Sequence, residues 1–171
     1  MNPYHNPPHL YLDQTIYFIS ARTVEANPIL VSEESKKLFL KCFKEKVEKH
    51  KYILYAWVIL NNHYHIIVQT NSGNSLPKFM QALHGVTSRT LNLQDEKKGR
   101  QVWFNYWDRC LSNDEDFNAH CDYIHYNPVK HRLVQHPEDY PYSSYEIFLK
   151  RGYYEIGWGY AEPKNIEKLK E

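Results

Sequence analysis

Cysteine is scarce: Cys42, Cys110 and Cys121 are odd in number, widely separated, and never form a CxxC pair. That excludes a disulfide framework and a cysteine-ligated zinc finger. No apolar run approaches the ~20 residues of a membrane-spanning helix, so no membrane partner is expected. The opening MNPYHNPPHLYLDQ does not read as a signal peptide. Charge of one sign is also lacking: 21 Lys+Arg against 20 Asp+Glu leave a formal charge of +1, too little to draw in a polyanion by overall field. Low-complexity tracts, Gly/Ser linkers and internal repeats are absent. The chain therefore reads as one intracellular domain over 1–171, with a core at about 14–135 and a C-terminal helical extension at about 136–171.

What is present is ordinary in bulk and unusual in detail. Hydrophobic residues make up 42% and charged residues 24%, which suits a globular core and excludes disordered and fibrous classes. Fifteen Tyr, seven Phe and four Trp are a heavy aromatic load, and ten His are many for this length. The first dozen residues, with three prolines, read as an extended arm.

Periodicity predicts a strand over 14–22, then a helix over 33–50 capped by Ser32 with Phe39, Phe43 and Val47 on one face. A buried strand over 52–60, an Asn61-Asn62 turn and a returning strand over 63–70 form a hairpin. A helix over about 76–92, capped by Ser75 with Pro77 in its first turn, precedes a charged loop at 94–101 and an aromatic strand, VWFNYWDR. A third helix starts near Asn113 and ends or kinks at Pro128, and a fourth spans roughly 142–150. Strand–helix–strand–strand–helix–strand is an α+β plan: a ferredoxin/RRM-like antiparallel sheet with helices packed on it.

Two segments carry chemistry. In Asn62-His63-Tyr64-His65 the period of a strand sends His63 and His65 to one face while Tyr64, Ile66 and Val68 anchor the other. Two adjacent imidazoles make half of a metal site, although a bare HxH is equally a pair of surface or partly buried histidines. In the third helix Tyr123 and Asn127 stand one turn apart on one face. They fit a nucleophile and a third metal ligand, or a packing aromatic beside a helix-capping Asn. His84, His120, His125, His131 and His136 read as structural or surface residues, with His120 notable for lying one turn before Tyr123.

Taken together, the anchors NNHYHIIV, SLPKFMQALHGVTSRTLN, WFNYWDR, DYIHYNPVKHRLV and PEDYPYSSY, in that order over roughly 14–145, resemble the HUH-type tyrosine transposases. The resemblance is closest to the REP-associated tyrosine transposases, with their IS200-like domain. It implies that His63, His65 and Asn127 hold a divalent metal, Mg or Mn, and that Tyr123 is the nucleophile. A tyrosine of ordinary pKa ~10 is a poor nucleophile unless assisted. The metal would polarise a scissile phosphate in single-stranded or hairpin DNA, and Tyr123 would take the 5′ phosphate as a phosphotyrosine. Where relatives commonly have Gly after the NPV motif, this chain has Arg132, which weakens the expected cap there. The resemblance further implies a bacterial cytoplasmic protein working at the nucleoid, monomeric rather than dimeric, with its own tail closing the site. The alternatives are a hairpin-binding protein that does not cut, and a metallohydrolase using the His pair.

With so little net charge, DNA has to be held by a local patch. Arg89, Lys97, Lys98 and Arg100 precede the aromatic strand, and Lys130 and Arg132 follow the nucleophile helix, with Trp103 or its aromatic neighbours expected to stack on unpaired bases. Seven lysines against two glutamates between Lys36 and Lys51 read as a solvated helix face.

Overall fold

The computed structural model describes residues 12–169; the expected N-terminal arm lies outside them. Four strands, β1 (Ile16–Thr23), β2 (Ile53–Ile59), β3 (His63–Gln69) and β4 (Trp103–Cys110), alternate with helices α1 (Glu33–Lys49), α2 (Leu76–Gln94) and α3 (Asp114–Lys130). The strands pair antiparallel throughout in the order β2-β3-β1-β4. This is the ferredoxin-like arrangement that the element order predicts.

The pleat sorts the side chains. Tyr17, Ile19 and Ala21 of β1 and Tyr64, Ile66 and Val68 of β3 are fully buried on one face, beneath α1 and α2. Phe39 of α1 packs on Tyr64 and Trp103, with ring centroids 4.8 and 5.4 Å apart, and His84 of α2 stacks on Trp103 at 4.9 Å. The opposite face carries Phe18, Ser20 and Arg22 of β1 directly across from Ile67, His65 and His63 of β3. It is covered by α3.

Local chemistry explains most helix ends. The Ser32 hydroxyl accepts from the Ser35 N–H at 3.1 Å, and the Asn113 side chain accepts from the Asp116 N–H at 2.8 Å, so both cap as expected. Ser75 does not cap α2, because its hydroxyl is taken up by Tyr52 and the Ser72 carbonyl. Helix α3 runs through Pro128 to Lys130 rather than stopping at Asn127. Its end is closed by Leu133 N–H on Pro128 O and Arg132 N–H on Val129 O, both at 2.9 Å, with Arg132 in the left-handed region at φ 57°. Arg132 thus fills the cap position that favours glycine, and the turn forms regardless. After α3 the only α-helix among the described residues is α4 (Tyr145–Lys150), shorter than expected because Ser143 and Ser144 are tied to β2.

That tie is part of a buried polar chain. The Trp57 N–H donates to Ser144 Oγ at 2.9 Å, and His125 lies 2.7 Å from Ser144 Oγ through Nε2 and 2.8 Å from the Tyr154 hydroxyl through Nδ1. Tyr154 donates its proton to Asp122, so His125 donates at Nδ1 and accepts at Nε2. Asn165 donates to the other Asp122 oxygen at 2.7 Å. Residues from β2, α3, α4 and the C-terminal segment are locked in one hydrogen-bond direction.

Burial depresses the His125 pKa to about 3 and that of His84 to about 4. Both are neutral in the fold and gain protons when it opens, so their contribution to stability is complete above the unfolded pKa of ~6.5 and is lost as pH falls towards the folded values. The unfolding free energy from urea titrations should fall steadily from pH 7 to pH 5, by up to about 1.4 kcal/mol per histidine per pH unit below ~6.5, with the urea midpoint falling alongside it. Identical midpoints at the two pH values would contradict neutral burial.

Candidate active site

The site is assembled from the sheet face that the core does not use. The Asn61-Asn62 turn positions its first member: Leu60 N–H bonds His63 O at 2.8 Å, and Asn62 O accepts the Thr23 N–H at 2.8 Å. The Asn62 side chain reaches Ala26 O through Nδ2 and accepts His63 Nδ1 at 2.6 Å. His63 Nε2 lies 3.4 Å from the Asn127 side-chain oxygen; in the tautomer with its proton on Nδ1, that nitrogen offers the lone pair a metal ligand needs.

His65 stands beside it, ring centroids 5.1 Å apart, and is almost fully buried. Neither of its ring nitrogens, nor Asn127 Nδ2, has a hydrogen-bond partner among the described residues. Burial first, and the neighbouring His63 second, hold the His65 pKa well below the usual range, so it presents lone pairs and not a charge. Buried polar atoms are normally satisfied, and unsatisfied ones in a cleft point to a missing partner. No group of three or more His, Cys, Asp or Glu side chains fit to hold a metal occurs among the described residues. The donor set here is different: two neutral imidazoles and an amide oxygen, a chemistry that fits a divalent transition ion.

Tyr123 is buried on α3, its ring 5.2 Å from that of His65 and 6.0 Å from Phe18. Lys130, two turns on, places its ammonium 4.9 Å from the centre of the Tyr123 ring. His120, one turn before, is held by Asp116: Nδ1 donates to the Asp116 carbonyl at 2.8 Å and lies 3.2 Å from its carboxylate. Desolvation lowers the His120 pKa, against the opposing pull of Asp116. Phe18 stacks on His65 at 5.4 Å and meets His120 at 4.7 Å, separating the two imidazoles. A cavity of about 790 Å³ opens over these groups, lined by Phe18, His63, His65, His120, Tyr123 and His131 among others.

The structure thus brings together His63, His65, Tyr123 and Asn127, with Lys130 at the edge. It separates the two basic groups that were expected to act as one patch. Arg89, Lys97 and Lys98 are exposed on and just after α2, beneath the opposite face of the sheet. Arg100 is engaged there by Asp95 at 2.7 Å and by Asn92. Arg132 is exposed past α3. Trp103 is turned into the core at 5% exposure, its indole N–H donating to Thr87 at 2.9 Å, because β4 starts on the inward phase of the pleat. His131, whose ring lies 4.7 Å from that of His63, and the β1 residues Phe18, Ser20 and Arg22 were not foreseen as site residues. Alternation along β1 could have grouped the last three, but nothing in one sequence says which strand pairs with β3.

A family model described as "Transposase IS200 like" matches residues 13–127. A Haemophilus influenzae protein assigned to the REP-associated tyrosine transposases is 31% identical over 132 residues, 71% of this chain and 74% of that protein. The REP-associated tyrosine transposase of Escherichia coli is 31% identical over 104 residues, 60% of each chain. A solved structure of a REP-associated tyrosine transposase bound to a REP hairpin superposes with a TM-score of 0.76 over the whole of both chains at 21% identity, which shows a shared fold.

Because two buried imidazole nitrogens lack partners, His65→Leu should raise stability in the presence of chelator by ~1 kcal/mol, the relief of an unmet polar group. Thermal melting reads this directly. A lower midpoint than wild type would mean that the imidazole is satisfied in solution.

Proposed function

Since the chain belongs to the IS200-like transposase family, we propose that it is a single-strand DNA nicking and joining enzyme that acts at hairpin-forming palindromic repeats with Tyr123 as nucleophile. The observation that carries this reading is the convergence of His63, Tyr123 and the unpartnered His65 in one cavity, with the buried Asn127 side-chain oxygen 3.4 Å from His63 Nε2. The relative in the superposed structure is bound to a REP hairpin, and a hairpin with a single-stranded flank is the proposed substrate here.

His63, His65 and Asn127 would hold a divalent ion, Mg or Mn, which supplies polarisation of the scissile phosphate and its alignment for in-line attack. The protein does the rest. Tyr123 Oη bonds to phosphorus as the P–O3′ bond breaks, leaving the 5′ phosphate on the tyrosine and a 3′ hydroxyl on the departing strand. His120, which Asp116 orients through Nδ1 and which lines the cavity with Tyr123, would take the Oη proton on Nε2 and return it to the leaving 3′ oxygen. Attack by a second 3′ hydroxyl reverses the sequence and joins strands.

For holding DNA, Lys130 and Arg132 lie at the end of the nucleophile helix, where a phosphate backbone entering the cavity would pass. Arg89, Lys97, Lys98 and Arg100 lie beneath the other face and would be reached only by a stem that rounds the β4 edge. Lys168 and Leu169 of the C-terminal segment line the same cavity as Tyr123, in keeping with a monomer whose own tail reaches the site.

Incubating the protein with labelled hairpin DNA and Mn should yield a covalent adduct on a denaturing gel. Tyr123→Phe should abolish it while leaving hairpin affinity within about twofold, because only a hydroxyl is removed. His63→Ala and His65→Ala should lose metal-dependent cleavage, with Asn127→Ala less severe because water can replace one ligand. An adduct formed by Tyr123→Phe at the wild-type rate would assign the chemistry to another residue.

A further inference from the structure

The turn that leaves β1 carries strain beside the cavity. Glu25 and Ala26 stand in the left-handed region at φ 54° and 53°, and among the described residues no other two neighbours do so together. Neither is glycine, so both side chains crowd the backbone. Such residues persist only where their surroundings over-determine them, and they gather at functional sites. Here buried Thr23 donates its N–H to Asn62 O at 2.8 Å and its hydroxyl to Asn27 O at 2.7 Å, clamping the turn onto the β2–β3 hairpin. The clamped backbone presents the Ala26 carbonyl to the Asn62 side chain, whose Nδ2 donates to it at 3.0 Å. Ala26, Asn62 and His63 all line the cavity.

We propose that Asn62 is a positioning residue for the metal site: anchored on the Ala26 carbonyl, its amide fixes the His63 proton on Nδ1 and so keeps the Nε2 lone pair for a divalent ion. This deepens the reading of His63 as a metal ligand and rests on it.

The assignment follows from polarity. A backbone carbonyl only accepts, so the NH2 group of Asn62 faces Ala26 and the side-chain oxygen faces His63 Nδ1 at 2.6 Å. Turning the amide over would set two oxygens against each other. The Asn62 oxygen also only accepts, so Nδ1 of the neutral ring carries the proton. The other tautomer would put the proton on Nε2, where the Asn127 oxygen lies at 3.4 Å. A contact of 2.6 Å outweighs one at the outer limit of a hydrogen bond, and that tautomer would also leave two lone pairs facing each other across 2.6 Å. The bond made by one ring nitrogen thus decides what the other can do. Asn61 has a different task. Its side-chain oxygen accepts from Lys36 Nζ at 2.9 Å, and Lys36 also bonds Val31 O at 3.0 Å, which ties the hairpin turn to the start of α1 without touching an imidazole.

The test reads the His63 ring nitrogens by NMR of the metal-free protein, at a pH where the ring is neutral, and Mn binding by calorimetry. Wild type should show the proton on Nδ1. Asn62→Leu should move it to Nε2 and weaken Mn binding by about 10- to 100-fold, the usual loss when the partner behind a metal-binding imidazole is removed. Asn62→Asp, whose carboxylate still accepts from Nδ1, should keep the tautomer and bind Mn at least about tenfold more tightly than Asn62→Leu, while melting lower for want of the Ala26 bond. Asn61→Ala should also melt lower, with the wild-type nitrogen spectrum and Mn affinity. An Nε2 proton in wild type, or wild-type Mn affinity in Asn62→Leu, overturns the role of Asn62. Equal shifts in Asn61→Ala and Asn62→Leu overturn it too, because the turn would then matter only as structure. A wild-type protein with the Nδ1 proton that binds no Mn would instead remove the metal reading, and the role of Asn62 with it.

Discussion

Everything in this molecule depends on the two-residue period of β3. Tyr64, Ile66 and Val68 fill the core beneath α1 and α2, and their burial fixes the strand's phase and register. A slip of one residue would put imidazoles in the core and apolar side chains in the cavity. The hydrophobic energy of one face therefore specifies the geometry of the other. His65 needs no loop to position it, being the reverse side of a well-packed strand, and His63 adds to that strand phase only the bond from its Nδ1 to the Asn62 side chain. That rigidity matters because imidazoles held on a sheet keep their spacing when nothing is bound.

The cost of the arrangement is visible at His65. A neutral, buried imidazole without partners is tolerated because the surrounding packing over-determines its position: Phe18 on one side, Tyr123 on the other, and the β1 and β2 strands flanking its backbone. Among the described residues, only half-buried His136, at Nδ1, shares such an unmet ring nitrogen. His125 is bonded at both nitrogens, and His84 meets the Tyr64 hydroxyl at 2.8 Å. His65 stands apart from His125 and His84 in having both ring nitrogens buried without a partner.

Much of this was legible in the amino-acid order. Strand alternation in NHYHIIV and helical spacing between Tyr123 and Asn127 each define a face, and the sequence of elements defines the α+β plan. Two things were not legible. Strand adjacency is set by long-range packing, so the neighbours that β1 contributes, Phe18, Ser20 and Arg22, could not be assigned to the His pair. The phase of β4 depends on a bulge, and VWFNYWDR is aromatic on both faces, so composition alone could not tell Trp103 in the core from Phe104 and Trp107 outside it. The basic residues after α2 and after α3 were separable only once each helix had a side of the sheet. Arg132 shows the converse: a residue that departs from the expected glycine takes the left-handed cap all the same, because the helix-closing hydrogen bonds outweigh the modest backbone penalty.

The hydrogen-bonded chain through Ser144, His125, Tyr154 and Asp122 has a temporal meaning as well as a spatial one. Trp57 and Ser144 are 87 residues apart, and Asn165 closes the last link. On the ribosome the sheet, the His pair and the nucleophile helix can all emerge while Asp122 and His125 still lack the partners that lock α3 in place. A nascent chain then carries its tyrosine before it carries the brace that aims it. The latch arrives only when residues 154 to 165 are made, so a polypeptide cut short before Tyr154 holds the chemical groups but not the hydrogen bonds that lock them.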